Sequence, residues 1–578
     1  MFSALRASMN EDRTFPVLQA NVLAGLTVGV IALPLSMALA IATGVSPQHG
    51  LYTAIVAGIA IALSGGSRVA ISGPTAAFVV ILLPIVQQFG VGGLMTAGFM
   101  AGLILIAMGV ARLGRLVEII PYPVTIGFTA GIGTVIATLQ IKDFLGLEVT
   151  NLNGHFTDKV LSLFSALPSL DWGEFGIGGL TLTVLILWRR TQSRIPAHLV
   201  ALLVGTLTAW VLGRVNGFDV DTIGSRFFYT LNGVVGQGIP PMPPAFNLPW
   251  NQPGPDGQPL GLSFDLIRNL LGPALTIAAL GSIESLLCAV VAEGMSGKRH
   301  SPNDELIGQG LGNLIVPLFG GIPATAAIAR TAANVRAGAT SPLSSVVHAL
   351  FILAAILFLA PLLAYIPMAS MSALLLMVAW NMSEAPHFLR TLRVAPRPDV
   401  AVLLTCYALT VLFDMVIAVG VGLSLAAVLF IRSSIGLTQA TPIKANARPD
   451  DELTVADSVI VYDINGPLFF GSAQKALKLI TTINPNIRIV ILDMSGVTML
   501  DMTAIIALDS IIDNLRTRKV ETIIADLQPR MIEKLHRAGI HKQRGLLRFA
   551  HSLPDALILA DRHAAQASPD GDHSHIQL

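Results

Sequence analysis

The fold class this sequence predicts is a polytopic α-helical membrane protein followed by a small α/β domain, and three observations carry that prediction. Only 12% of the 578 residues are charged and 53% are hydrophobic, whereas roughly a quarter of a soluble domain is charged. The deficit is uneven: Met1–Gln439 hold 40 charged residues in 439, Ala440–Leu578 hold 31 in 139. Apolar runs of the roughly 20 residues that a membrane helix needs recur through the first part and stop before the second. The reading is a polar, cytoplasmic segment over 1–17, a membrane domain over 18–435, a soluble domain over 440–563 and a disordered tail over 564–578. A net charge of +1 speaks against nucleic acid as a partner. Cys288 and Cys406 both lie in apolar runs and are too few to frame a disulfide scaffold. The first 16 residues lack a cleavable-signal pattern, so the first hydrophobic helix is expected to stay in the protein.

Taken in order, long apolar runs lie near 18–43, 92–112, 122–141, 174–190, 197–213, 264–292, 341–362, 366–382, 398–414 and 415–432. Shorter runs broken by Gly or Pro lie near 50–65, 73–88, 303–320 and 324–340. Together they make fourteen crossings, seven over 18–213 and seven over 264–435. Seven is odd, so the second set has inverted topology. Cationic clusters at Arg112/Arg115, "WRRTQSR" (Trp188–Arg194), "SGKRH" (Ser296–His300) and "FLRTLRVAPRP" (Phe388–Pro398) fall on one side if the count is even. The loop from Val215 to Ser263, with one Arg and no Lys, falls on the other. The positive-inside rule then places both termini in the cytoplasm.

Two short segments repeat one phrase: "SGPTAAF" (Ser72–Phe78) and "PATAAIAR" (Pro323–Arg330). They occupy matching places, third in each set of seven. Paired, broken segments in matching places point to a transporter's binding site. A helix that starts inside the membrane leaves its first N–H groups unpaired and partly positive, and an anion satisfies them where lipid cannot. Ser72 reads as an N-cap and Pro74 as a first-turn proline. Gly73, Pro74, Thr325 and Ala326 are the candidate residues of this helix-start anion site. The competing reading is that small residues merely let helices pack closely.

Glu284, in "LGSIESLLCAV" (Leu280–Val290), is the one acid well inside a long apolar run. An intramembrane carboxylate is a functional candidate, here a proton carrier; the alternative is a protonated carboxyl in a structural hydrogen bond. Arg330, on the second half-helix, is suited to hold a carboxylate, to pair with Glu284 or to reach the cytoplasmic surface. Gln309, Asn313, Asn334 and Arg336 read as helix-to-helix hydrogen-bonding groups, and His348 as structural. No His/Cys/carboxylate cluster has metal-site spacing and no P-loop lysine motif is present, so neither metal, cofactor nor direct ATP drive is expected. No nucleophile–base arrangement suggests an enzyme.

From Val459 the pattern alternates: strand "VIVYDI", turn "NGPLFFGSA", helix, strand "IRIVILDMS", helix from Met502, strand "ETIIADL" and helix "PRMIEKLHRAG". This is a small α/β domain. Thr503 is placed to help cap its helix or to carry a regulatory phosphate. Arg530, Lys534, Arg537, Lys542, Arg544 and Arg548, opposed only by Glu533, form either a solvated face or a docking surface for an acidic protein or anionic lipid.

"LPLSMALAIATGVSPQHGLYTA" (Leu33–Ala54), the two repeated phrases, "IESLLCAVVAEGMSG" and the tail "GPLFFGSA…VILDMSGVTMLD" resemble the SulP anion transporter family over nearly the whole chain. The resemblance implies fourteen helices in two inverted repeats of seven, forming core and gate domains that move as an elevator, a cytoplasmic STAS domain and a homodimer in the bacterial inner membrane. It places substrate near Thr75, Ala76, Phe78, Ala327, Ile328 and Arg330, and its acidic eighth-helix residue matches Glu284. "LLLMVAWNMSEA" (Leu374–Ala385) and "LTVLFDMVIA" (Leu409–Ala418) look closest to members that take up C4-dicarboxylates (succinate, fumarate, aspartate). The main expectation is therefore proton symport of such acids; the alternatives are sulfate or bicarbonate on the same scaffold, or a STAS-based recruitment platform. Many relatives carry Gln where this chain has Leu35. Sodium-coupled relatives place hydroxyls where it has Cys288 and Ile328, which favours protons as the coupling ion.

Overall fold

The computed structural model describes residues 3–9, 14–115, 120–149, 154, 156–191, 193, 195–216, 220–231, 233–413, 415–443, 457–469, 473 and 484–566. The chain divides into two compact units, Met1–Ala426 and Ala427–Leu578.

The membrane helices are Phe15–Ala42, Pro47–Ser64, Ala76–Val110, Tyr122–Leu145, Trp172–Trp188, Ala197–Asn216, Phe264–Ser296, Pro302–Ile315, Ile328–Arg336, Leu343–Leu363, Met368–Ser383, Arg397–Leu412 and Met415–Leu437. Ala76–Val110 is in fact two helices joined at Gly90, whose φ of 69° and ψ of −175° break the helical path. Only glycine adopts that conformation cheaply, and a Cβ there would also meet the Gly254 backbone at 2.4 Å. With that break the described residues hold the fourteen segments expected. Among them, seven helices are long and apolar enough to cross a membrane on length and composition alone. The shorter ones include Ile328–Arg336, which begins within the second copy of the repeated phrase, and Pro302–Ile315. A short helix, Ser3–Met9, lies in the segment read as a polar N-terminus. Between the repeats, β2 (Phe228–Leu231) and β3 (Val234–Gln237) form an antiparallel hairpin.

The Pro302–Ile315 helix is wedged between Pro47–Ser64 and Ala76–Val110, and glycines set the distance. A Cβ on Gly308 would lie 2.4 Å from the Gly65 Cα, and one on Gly310 would lie 2.7 Å from the Ile106 amide. Without a hydrophobic force between helices in lipid, such backbone contact replaces it. The apolar core runs beside this wedge through Met37, Leu51, Phe78, Leu82, Leu94 and Leu105.

The second unit is a five-stranded sheet in the order β5 (Gln439–Ile443), β6 (Val459–Asn465), β7 (Ile489–Asp493), β8 (Glu521–Ala525) and β9 (Leu547–Ala550). β5 is antiparallel to β6 and the remaining pairs are parallel. The middle strands β7 and β8 are buried along their whole length, as parallel strands covered on both faces must be. Helices Met502–Thr517, Pro529–Arg537 and Leu553–Gln566 accompany the sheet. The expected strands at 459, 487 and 521 and the helices at 502 and 529 are present. β5, β9 and the last helix were not read from the sequence, and that helix occupies Ala564–Gln566 of the expected disordered tail. The helix expected after "NGPLFFGSA" and tail residues 567–578 lie outside the described residues.

The wedge makes a contrast between two helix-interior glycines testable. Gly308→Val should lower the thermal midpoint of the detergent-purified protein, by about 1–3 kcal/mol of overpacking. Gly294→Ala, at a site with nothing within 4 Å of the new methyl, should leave it unchanged or raise it slightly. Fluorescence-detected size-exclusion chromatography after heating reads both.

Candidate functional site

The two copies of the repeated phrase meet. β1 (Ser72–Gly73) pairs antiparallel with β4 (Thr325–Ala326), with Ser72 opposite Ala326 and Gly73 opposite Thr325. The half-helices begin immediately beyond this short ladder, at Ala76 after the N-cap Thr75 and at Ile328 after the N-cap Ala327. Neither N-cap side chain bonds to its own helix. The tips thus sit side by side, and the first-turn amides from Ala76 and from Ile328 have no intrahelical acceptor.

This corrects the cap assignment. Ser72 is not an N-cap and Pro74 is not in a first turn: both precede the helix. Gly73, Thr325 and Ala326 are used by the ladder instead of presenting helix-start amides, and Pro74 follows it in extended chain. An additional backbone bond from the Ala327 amide to the Ile71 carbonyl, 2.9 Å, lengthens the ladder. Gly73 has no room for a side chain, because a Cβ would lie 2.9 Å from Arg330 Nη1.

The Phe264–Ser296 helix carries both tips on one face. Thr75 Oγ1 donates to Glu284 Oε2 at 2.9 Å. Thr325 Oγ1 donates to the Gly281 carbonyl at 3.2 Å. Cys288 Sγ donates to Thr331 Oγ1 at 3.3 Å, and that oxygen also accepts the Ile71 amide at 2.9 Å. Residues 281, 284 and 288 are one helical turn apart, so a single stripe aligns them.

Arg330 is 4% exposed. Its Nη2 donates to the Pro74 carbonyl across the junction, and its Nη1 is buried with no hydrogen-bond partner. Of the roles left open for it, ion pairing with Glu284 is not the one adopted: Glu284 is held by Thr75. Thr75, Ala76, Phe78 and Ala327 are buried. Ile328, at 40% exposure, and Ala329 are open, and Glu284 is half-buried. The open edge of the tip pair therefore lies at the start of the second half-helix, beside Glu284. Leu35 is buried. A cavity of about 420 Å³, lined by Lys142, Asp143, Asp171, Glu174, Asp221 and Arg226 among others, shares no residue with the tips.

Polar residues read as helix-to-helix bonds do tie elements together. Asn313 Nδ2 donates to the Ala324 carbonyl and its Oδ1 accepts the Ala324 amide, both at 2.8 Å. Gln309 Nε2 reaches Ser72 Oγ at 3.2 Å and Glu305 Oε1 at 3.0 Å. Asn334 Nδ2 donates to the Val69 carbonyl and Ser344 Oγ, each at 2.9 Å. Arg336 differs, donating within its own helix to the Ala332 carbonyl at 3.1 Å. His348 is fully buried with neither ring nitrogen hydrogen-bonded. Sequence reasoning missed Thr53, whose hydroxyl donates to the Ile322 carbonyl and accepts the Ile322 amide, and Glu305. Glu305 carried a readable signal, an acid in the first turn of a helix in a membrane domain.

In the α/β domain, Asp501 caps the Met502–Thr517 helix, its Oδ1 accepting the Ala504 amide at 2.8 Å, so Thr503 is not the cap. Of the basic cluster, Arg548 pairs with Glu521 at 2.8 Å and Arg537 with Glu533. Arg530, Lys534, Lys542 and Arg544 are exposed.

Comparison with known proteins gives this geometry a family. The Sulfate permease family pattern matches residues 18–405 and the STAS domain pattern matches residues 452–556. The chain is 39% identical over 533 residues to the putative sulfate transporter YvdB of Bacillus subtilis, covering 92% of this chain and 96% of that one. It is 30% identical over 587 residues to the bicarbonate transporter BicA of Synechocystis, covering 96% and 97%. In fold it is similar to the murine Solute Carrier 26 family member A9 anion transporter, with a TM-score of 0.81 at 17% identity over 97% of this chain and 94% of that one. Paired half-helix starts in a fourteen-segment membrane unit, followed by a STAS domain, place this chain among the anion transporters: it belongs to the sulfate permease (SulP) family.

Proposed function

We propose that this anion transporter carries a small inorganic oxyanion, sulfate or bicarbonate, at the open edge of the paired helix tips, and that Glu284 takes up a coupling proton. The observation that carries the reading is the ladder Ser72–Gly73/Thr325–Ala326, which sets two uncapped helix starts next to each other. Two partial positive ends that close together attract a compact anion able to accept from both. The relatives named for sulfate and for bicarbonate support the inorganic class. They lend no support to the C4-dicarboxylate expectation, which becomes a competitor in the assay. Thr75, Ala76, Phe78, Ala327, Ile328 and Arg330 are the proposed anion-contacting set, with Ile328 and its amide nearest the open edge. Arg330 supplies a fixed positive charge behind the tips.

Glu284 suits the coupling role because it is bonded to Thr75, the residue that opens the first half-helix. Protonation changes what that carboxylate accepts and so links proton binding to the tip. The reading includes rigid movement of the tip-bearing helices against the remainder, and cytoplasmic termini in a bacterial inner membrane, as the cationic loops suggest. Homodimerism, an implication of the resemblance, is checked by the mass of the purified complex in detergent.

In proteoliposomes, uptake of labelled sulfate or bicarbonate should be competed by the other inorganic anion and not by succinate. Preferential uptake of succinate would overturn the inorganic assignment. Glu284→Gln should remove the stimulation by an inward proton gradient, lowering gradient-driven uptake by about tenfold while leaving counterflow exchange active. Gradient dependence equal to the unaltered protein would take Glu284 out of the mechanism.

The STAS domain is proposed to dock a small acidic protein through Arg530, Lys534, Lys542 and Arg544, with Thr503 as a site where a phosphate would favour the helix start. Truncation after Gln439 should abolish capture of such a protein while transport continues. Lost transport with retained capture would reverse the assignment.

A further inference from the structure

The Pro302–Ile315 helix presents Glu305, Gln309 and Asn313 four residues apart, on one face. All three are about 1% exposed. Each makes contacts that ordinary helix-to-helix packing does not require. Asn313 uses its carbonyl and its amine on the backbone of a single residue, Ala324, which immediately precedes β4. Its side-chain amide thus behaves like a third strand beside the tip ladder. Gln309 reaches Ser72, the first residue of β1, so the same helix holds β1 and the residue that leads into β4. Glu305 closes the row at the other end: its Oε2 accepts the Gly66 and Ser67 amides, each at 3.0 Å, and its Oε1 accepts from Gln309. The row continues internally, Asn313 Nδ2 also donating to the Gln309 carbonyl at 2.9 Å.

The helix is in no position to drift. Gly308 and Gly312 lie against Gly65 and Ile61 of the second crossing, and Gly310 lies against Ile106. Close backbone contact at the glycines that flank the row of polar side chains makes the helix a template for the ladder. An anion held by two helix starts feels their separation directly, and displacement of about 1 Å in a binding constellation is worth up to a hundredfold.

We propose that Gln309 and Asn313 are positioning residues of the anion site: they fix the spacing of the two tips and thereby the affinity for the transported anion, without touching it. The inference rests on the anion reading given above for its functional half; its structural half is independent of any ligand.

The test uses the full chain in nanodiscs. In hydrogen–deuterium exchange without added anion, Asn313→Ala should speed exchange in peptides covering 325–331, and Gln309→Ala in those covering 72–78. Peptides from the Leu343–Leu363 helix should stay as in the unaltered protein. Unchanged tip peptides, or uniform loosening of the whole unit, would overturn the proposal whatever the protein transports. In sulfate and bicarbonate uptake, each variant should raise KM about tenfold with Vmax within about twofold, the pattern of lost binding geometry. Asn313→Asp, which keeps the acceptor for the Ala324 amide, should recover part of the loss and serves if the alanine variant does not fold. Because Gln309 acts through Ser72, the double variant Gln309→Ala/Ser72→Ala should raise KM no further than the more strongly affected single variant does. Additive effects would show that Gln309 acts elsewhere. An unaltered protein that moves neither anion would sink the function reading alone, while the exchange data still decide the positioning.

Discussion

Everything at the centre of this molecule follows from one constraint: a backbone broken inside a membrane has polar groups that lipid cannot satisfy. Two helices start there, in matching places of two repeats, and each leaves donors and acceptors behind. The chain meets most of that demand internally. Ser72–Gly73 and Thr325–Ala326 satisfy one another as a ladder, Ala327 bonds to Ile71, Asn313 takes both groups of Ala324, and Thr53 takes both groups of Ile322. What remains are the first-turn amides, which no side chain caps. The site is defined by what this accounting leaves over.

Much of this was legible because hydropathy and charge asymmetry are strong signals over long segments. The crossings came from counts of apolar and charged residues, and the repeated phrase stood out by its matching place in the two sets of seven. The ladder itself was not legible. A two-residue bridge has no periodicity, and Ser-Gly-Pro-Thr reads equally as a cap sequence or as extended chain. Local cap chemistry favoured Ser72 as the N-cap; tertiary pairing with a segment 250 residues away overrode it and moved the cap to Thr75. The Gly90 break, by contrast, was legible, because the apolar runs near 73–88 and 92–112 stop on either side of it.

Polar residues in the apolar runs were visible but were undervalued. Gln309 and Asn313 each looked like one hydrogen bond between helices. Their partners, Ser72 and the Ala324 backbone, turn out to be the ladder's own flanks. In the α/β unit, β7 announced itself as a continuous Ile/Val/Leu run, and β8 by its β-branched Thr-Ile-Ile between helical patterns. β9, with its basic and aromatic residues at the sheet edge, did not, and β5 lies at the very start of the expected soluble domain, ahead of the alternating pattern that begins at Val459. Elements whose burial is one-sided carry the weaker imprint.

The same leftover amides explain why charge is easier to read here than identity. Helix starts recognise negative charge through dipoles that fall off within a turn, and such ends hold any compact anion comparably well. Under the proposed reading, discrimination comes from the few specific groups around the tips: the exposed Ile328 and, buried beside it, the Thr75 hydroxyl committed to Glu284 and the guanidinium of Arg330. In that same reading, a carboxylate that accepts from the N-cap hydroxyl of a half-helix ties anion occupancy to its own protonation, because the Thr75 hydroxyl can donate to only one of them at a time. Coupling and recognition, as proposed, reside in a single hydrogen bond, from Thr75 to Glu284, which the broken helices put in place.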